Sequence, residues 1–335
     1  MSYDYIVRTI PFFSSGRIIQ GKAFCVLSLV LVLLKGCLCI PPPVPDFDDE
    51  WPEEVTNGSI IVKLLNETRM RRLSLKSRYV YHNGAITASD GGGYRIRVDA
   101  TYSVPDQALH IAACTAKKMT QRMPSDIFNR LASSAKIGIF SKSETLTIYP
   151  EYASVRNPAD CGTTNCAGHC QHSCTFDGRK YYTLAGAGGR RTAILSDNIL
   201  CNGADPYHST NNILVHEFSH TVKNYGLSSA EKSQVNSAYN HAKSARLWAD
   251  YYPMATVEEY FAVGSAVYFN ADHQRYRGNG NHMDLCSGSN FCTSEYQSRT
   301  HLYQIDNPLY NLLTHVYDDN KVGNYANIGV CGSAC

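Results

Sequence analysis

"NNILVHEFSHTVKNYG", residues 211–226, carries two histidines four positions apart, His216 and His220, with Glu217 beside the first. Thr210 or Asn211 can cap a helix at its start, and Gly226 can end it. Ile213, Leu214, Phe218 and Val222 give that helix an apolar face. At positions i and i+4 both imidazoles leave the same side of the helix, one turn apart. This spacing lets two ring nitrogens bind one zinc ion at about 2.0–2.1 Å. Glu217 then points near the metal without ligating it, where its carboxylate can take a proton from a water. The competing reading is two surface histidines on an ordinary helix. The apolar run Ile213–Val215 leading into His216 favours a buried helix instead.

A catalytic zinc needs a third protein ligand and leaves a fourth position open. One longer version of the motif places a histidine six residues after His220, but Gly226 stands there. The third ligand is therefore expected to be a carboxylate on a later helix, and Glu231, Asp250, Glu258 and Glu259 are the candidates. Ser228 and Glu231 have capping-box spacing, and so have Thr256 and Glu259. The helix expected in "ATVEEYFAVGSAVYFN" (255–270) is apolar, so an acid buried there is expensive unless paired or bound to metal. Capping and metal binding compete for the carboxylate at 259.

The chain has 335 residues, 44% hydrophobic and 18% charged, with a net charge of +2. Nothing in that balance points to nucleic acid or an anionic membrane as partner. Arg8, Arg17 and Lys22 precede an apolar run of 12 residues, "AFCVLSLVLVLL" (23–34), followed by Lys35. A membrane span needs about 20 apolar residues, so residues 1–39 read as a signal peptide cleaved after Cys39, with an uncleaved anchor as the rival. Three of the 13 cysteines lie in that leader, and an even set of ten follows it. In an exported chain they read as up to five disulfides, whose pairing the sequence does not reveal. Without the leader 27 of the 31 basic residues face 28 of the 29 acidic ones, close to neutrality.

Residues 40–93 read as a linker or propeptide-like segment. It opens on the Pro-rich, acidic "IPPPVPDFDDEWPEE" (40–54) and carries glycosylation sequons at Asn57 and Asn66. A processing pattern, "RMRR" (69–72), follows, and a Gly-rich break (90–93) closes the segment. From Tyr94 the pattern becomes denser. "YRIRVDATY" (94–102), "KIGIF" (136–140) and "TLTIYPEY" (145–152) read as strands, and a helix with one buried face starts at Pro105. The chain is mostly helical from about 200 to Tyr317. Residues 94–335 are thus expected to form one α+β domain.

"CGTTNCAGHCQHSC" (161–174) contains four cysteines with His169 and His172 among them. In an oxidising compartment these read as disulfides rather than a second zinc site. The remaining histidines (82, 110, 208, 241, 273, 282, 301 and 315) show no second ligand spacing and read as surface or core residues. "GAGGRR" (186–191) lacks the ending of a phosphate loop and is expected at a substrate cleft, where glycines admit an extended chain.

"NILVHEFSHTV" together with "YYPMATVEEYFAVGSAVYF" resembles a family of secreted, gluzincin-type zinc metallopeptidases distantly related to the catalytic domain of anthrax lethal factor. The resemblance extends more loosely over residues 95–318. In that family a Glu directly before an aromatic-Phe/Trp-Ala triplet completes the zinc site, and a tyrosine seven residues earlier supports the oxyanion. Glu259, ahead of Tyr260, Phe261 and Ala262, and Tyr252 hold those places here. The resemblance therefore implies a zincin-like fold, a small mixed sheet with helices and then a mainly helical lower part. It implies one Zn2+ per chain held by His216, His220 and Glu259, with Glu217 as general base and Tyr252 as oxyanion donor. The expected activity is that of a secreted, monomeric endopeptidase acting on protein or peptide substrates, with no nucleic-acid partner and no membrane association after signal cleavage. The family commonly places another Glu after its triplet, where this chain has Val263. Loss of an acid that orients a zinc ligand costs about 10–100-fold in affinity or activity. Val263 thus favours the alternative, a non-catalytic secreted zinc-containing binding or toxin-like module.

Overall fold

A computed structural model describes residues 75–274 and 280–335. The expected signal peptide, most of the linker, both sequons and the "RMRR" site lie outside the described residues.

The architecture is α+β, built on one mixed six-stranded sheet with helices packed against it. Its strands are β1 (Leu75–Tyr81), β2 (Ile86–Thr87), β3 (Arg95–Thr101), β4 (Lys136–Phe140), β5 (Gly186–Ala187) and β6 (Arg191–Leu195). Their order across the sheet is β2-β1-β3-β4-β6-β5. β3, β4 and β6 run parallel in the centre, while β1, β2 and β5 add antiparallel edges.

The expected domain start at 94 is too late. β1 pairs with β3 over its whole length, from Leu75 opposite Thr101 to Tyr81 opposite Arg95. Of the seven β1 residues only Val80 is fully buried, so the segment has no alternating apolar signature. The second correction concerns 145–152, which forms two 3-10 turns, Leu146–Ile148 and Pro150–Val155, and not a strand. Its buried residues are Leu146, Tyr149 and Tyr152, spaced by three, which is the 3-10 period.

Helices α1 (Asp106–Thr120) and α2 (Ser125–Ser134) connect β3 to β4. Pro105 and Pro124 stand directly before them, where a missing N–H costs nothing. Leu109, Ala112, Ala116 and Met119 of α1 are fully buried in the core with Ile96 and Val98 of β3 and Ile137 and Ile139 of β4. A smaller cluster holds Phe140, Leu146, Tyr149 and Ala193. Arg191 is buried near it, 2.8 Å from Asp99 and 3.0 Å from Glu151. Gly138 in β4 makes room for this: a Cβ there would stand 2.6 Å from the Tyr149 ring and 2.8 Å from Arg191 Cδ.

After a short helical turn at Ser196–Ile199, five longer helices follow: α3 (Ile213–Thr221), α4 (Ser229–Ala245), α5 (Val257–Tyr268), α6 (Glu295–Ile305) and α7 (Asn307–Asp318). α3 continues as a π-helical turn over Val222–Gly226, so the chain leaves the helical path at Gly226 as expected. Its cap is neither Thr210 nor Asn211. Asn212 accepts from the Val215 N–H, while Asn211 donates to Gln274 and the Thr210 hydroxyl to the Tyr207 carbonyl.

All ten cysteines of the described residues are paired: Cys114–Cys335, Cys161–Cys170, Cys166–Cys174, Cys201–Cys331 and Cys286–Cys292. No helix among the described residues is long and apolar enough to cross a membrane.

Candidate metal centre

α3 and α5 meet face to face, and the site lies between them. His216 and His220 project from α3 with their Nε2 atoms 3.3 Å apart. Glu259, in the first turn of α5, brings its Oε2 to 3.2 Å from His216 Nε2 and 3.8 Å from His220 Nε2. All three side chains are largely buried, and each offers a ligand atom within 4.8 Å of the other two. Glu259 Oε2 has no hydrogen-bond partner despite this proximity, because the ring N–H vectors are not aimed at it.

The four candidate carboxylates separate cleanly. Glu231 closes the capping box with Ser228. Glu258, next to Glu259, pairs with Lys223 Nζ at 2.8 Å. Asp250 lies in a different cluster with His282 and Asp284. Only Glu259 faces the two histidines. Thr256 does cap α5, accepting from the Glu259 N–H at 3.1 Å, but the Glu259 carboxylate does not return the bond.

Electrostatics follow from this packing. Burial disfavours a charged His216, but the adjacent Glu259 carboxylate outweighs burial and raises its pKa. Burial alone would raise Glu259, yet His216 beside it holds the carboxyl well below the usual range. His220 is pushed down by burial and by His216. Glu217 is half-buried against the edge of the sheet, and burial raises its pKa.

The glycines of 186–189 serve the helix. A Cβ at Gly188 would stand 2.6 Å from His220 Cβ and 2.8 Å from the Glu217 carbonyl. The Thr221 hydroxyl donates to the Gly189 carbonyl at 2.7 Å, fastening this strand edge to α3. The glycines' close approach is to α3, beside Glu217 and His220.

Tyr252, in the loop between α4 and α5, stacks near His216 with ring centroids 6.3 Å apart, and its hydroxyl meets the Glu259 carboxylate. Val263 is fully buried in the apolar core, and His216 Nδ1 is buried without a hydrogen-bond partner. The positive charge of Arg179, just after the Cys-rich stretch, works against burial to favour the ionised forms of Glu217, Tyr207 and Tyr252. Spacing in the sequence offered no signal for Arg179. His282, whose surroundings in the sequence show no ligand spacing, lies beside Asp250 and Asp284.

No family model and no curated protein matches this chain. Among solved structures it is similar to the Pro-Pro endopeptidase of Paenibacillus alvei, at 18% identity and a TM-score of 0.39, over 65% of this chain and 95% of that one.

Proposed function

We propose that this chain is a secreted, zincin-like zinc endopeptidase. The observation that carries the reading is the convergence of His216, His220 and Glu259. Bonds of about 2.0–2.1 Å at tetrahedral angles put neighbouring ligand atoms about 3.3–3.4 Å apart. The separations here are 3.2, 3.3 and 3.8 Å. Two imidazoles and a carboxylate are also the donor set that suits zinc, and the orphaned Glu259 Oε2 fits a ligand atom better than a capping one. These residues would hold one ion.

When bound, the ion would supply Lewis acidity to water and to the scissile carbonyl. Glu217 takes the proton from the attacking water on its carboxylate and delivers it to the leaving amine. Burial raises its pKa, which brings the base nearer the operating pH. Tyr252 turns its hydroxyl from Glu259 towards the oxyanion and donates a hydrogen bond there, a contribution of roughly 3–4 kcal/mol for a well-placed donor. The close-packed Gly188 segment keeps His220 and Glu217 fixed against the sheet. The five disulfides support an oxidising, extracellular setting.

The second reading is a non-catalytic zinc-containing binding module. Buried Val263 and the unpartnered His216 Nδ1 favour it, because no acid orients that imidazole through Nδ1. Glu217→Gln separates the two. It should keep zinc and lose about 10²–10⁴-fold in peptide hydrolysis. Zinc content and hydrolysis of a fluorogenic peptide library are measured on one sample. Hydrolysis at the parent rate would place the activity elsewhere and leave the binding module as the better reading.

A further inference from the structure

We propose that Tyr317 is a positioning residue for the metal centre: its hydroxyl ties α3 to α5 and so sets the distance from the two histidines to Glu259. The inference rests on the zinc reading above and goes beyond its three ligands. His216 and His220 belong to one helix, so their own spacing is set within α3. The separations of Glu259 from those histidines, 3.2 and 3.8 Å, cross from one helix to another. They depend on where α5 stands against α3. A working constellation has to be held to about 0.5 Å.

The Tyr317 hydroxyl, near the end of α7, lies 3.1 Å from Ser219 Oγ on α3 and 3.1 Å from Ser265 Oγ on α5. None of the three residues is more than 1% exposed. Ser219 donates its own hydrogen to the Val215 carbonyl at 2.7 Å, and Ser265 donates to the Phe261 carbonyl at 2.8 Å. Both serine oxygens therefore face Tyr317 as acceptors, and the phenol hydrogen is shared between the two helices that carry the ligands. Ser219 directly precedes His220, and Thr221 directly follows it. His220 thus stands between two fastened hydroxyls, one tied to α7 and α5, the other to the Gly189 carbonyl.

The plain alternative is a buried tyrosine that has found a partner. One acceptor would satisfy that need. Here there are two, one on each helix of the site, and both are serines bonded back to the carbonyl four residues earlier. That arrangement slightly destabilises a helix, a cost that alanine at 219 and 265 would avoid. Phenylalanine at 317 would keep the ring's packing against Phe269 at 4.9 Å and Tyr268 at 6.1 Å. What the three residues add to that packing is the hydroxyl link alone. His216 Nδ1 has no partner to orient its ring, so the ligands are held through their helices.

Zinc affinity of the full chain, measured by competition with a chromogenic chelator, tests the role without calling on hydrolysis. Tyr317→Phe should bind zinc about 10–100-fold more weakly than the parent, the range for a partner that orients a metal ligand. Its Co2+-loaded form should show an altered visible absorption spectrum, because the Glu259 oxygen is displaced from the histidines. Tyr268→Phe is the control. It loses an equally buried hydroxyl, which meets Asp318 at 2.7 Å and Thr314 at 3.4 Å, and it should keep the parent's affinity and spectrum. Parental affinity and spectrum in Tyr317→Phe overturn the proposal, even where the chelator-stripped variant melts earlier. An equal loss of affinity in Tyr268→Phe overturns it as well. Should Tyr317→Phe fail to fold, Ser265→Ala removes the acceptor on α5 and should weaken zinc in the same way; parental affinity there overturns the link. A parent chain that binds no zinc would refute the metal reading itself, which separates that failure from the failure of this role alone.

Discussion

Helices α4 and α5 open on the same local pattern, a hydroxyl residue followed three positions later by glutamate, and they use it differently. At α4 the Ser228 oxygen accepts from the Glu231 N–H, and Glu231 Oε2 accepts from the Ser228 N–H at 2.6 Å. That carboxylate also takes Arg130 at 2.9 Å and meets the His315 ring at 3.1 Å. At α5 Thr256 performs its half of the motif, while Glu259 turns to the histidines of α3. A hydrogen bond to a nearby N–H is worth about 1 kcal/mol. Facing His216 in a buried site is worth more to a carboxylate, so the tertiary partner wins. The lesson is that a capping-box spacing identifies a helix start and leaves the carboxylate's destination open.

The largest effect that sharpens this contrast is Glu259→Ala. It should remove zinc and cost more than the 10–100-fold that outer-shell changes cost. α5 should still form, because Thr256 keeps its cap. Elemental analysis and far-UV circular dichroism read the two halves. Retained stoichiometric zinc at His216 and His220 would erase the difference between the helices.

Glu231→Ala is the mirror experiment. It removes the closing half of the box and one of Arg130's partners, leaving it Asp126 and the Gly226 carbonyl. Stability should fall by about 2 kcal/mol, from the lost cap and charged hydrogen bonds, with zinc content and hydrolysis unchanged. Urea unfolding of the zinc-loaded chain measures it.

The two glutamates also predict a pH signature. Burial raises Glu231, but the bonds from Ser228, His315 and Arg130 prevail and its pKa is lowered. A lowered folded-state value gives stability that is fully present above the unfolded value, near 4.5. That stability is lost as pH falls through the folded value. Glu231→Gln should therefore flatten the acid limb of the stability curve below about pH 4.5. An unchanged limb would assign the acid sensitivity to Glu259.

The smallest expected effect is Thr256→Ala. It should cost about 1 kcal/mol, the value of an N-cap, and leave zinc bound. Loss of zinc here would mean that the cap holds Glu259 in place, and that the two halves of the motif cooperate after all.

The parts of this molecule that were legible from sequence are those whose pattern is local. His216 and His220 declare themselves by one helical turn, and the α1 face by its apolar spacing. Cysteine parity announced five bridges. β1 was invisible because its side chains are mostly half-exposed, and the 145–152 segment misled because Leu146, Tyr149 and Tyr152 share a period of three with intervening polar residues that mimic alternation. Glu259 could not be distinguished from Glu231, Glu258 or Asp250 by spacing alone; the resemblance singled it out, and the three-dimensional packing separates the four. The partners of each cysteine, and of His282, are set by contacts between distant segments that no window of sequence contains.

The Cys114–Cys335 bridge has one more consequence. It spans 221 positions, and the Cys201–Cys331 bridge spans 130 within it. A backbone cut anywhere between Cys114 and Cys335 opens a ring and releases nothing. The exposed Tyr251 beside the candidate site offers a place for such a cut. A nicked molecule keeps its mass and most of its surface, and travels as one species until its disulfides are reduced. Damage accumulated among neighbouring proteases would therefore be hidden on a non-reducing gel and become visible, as discrete pieces, only after a thiol is added.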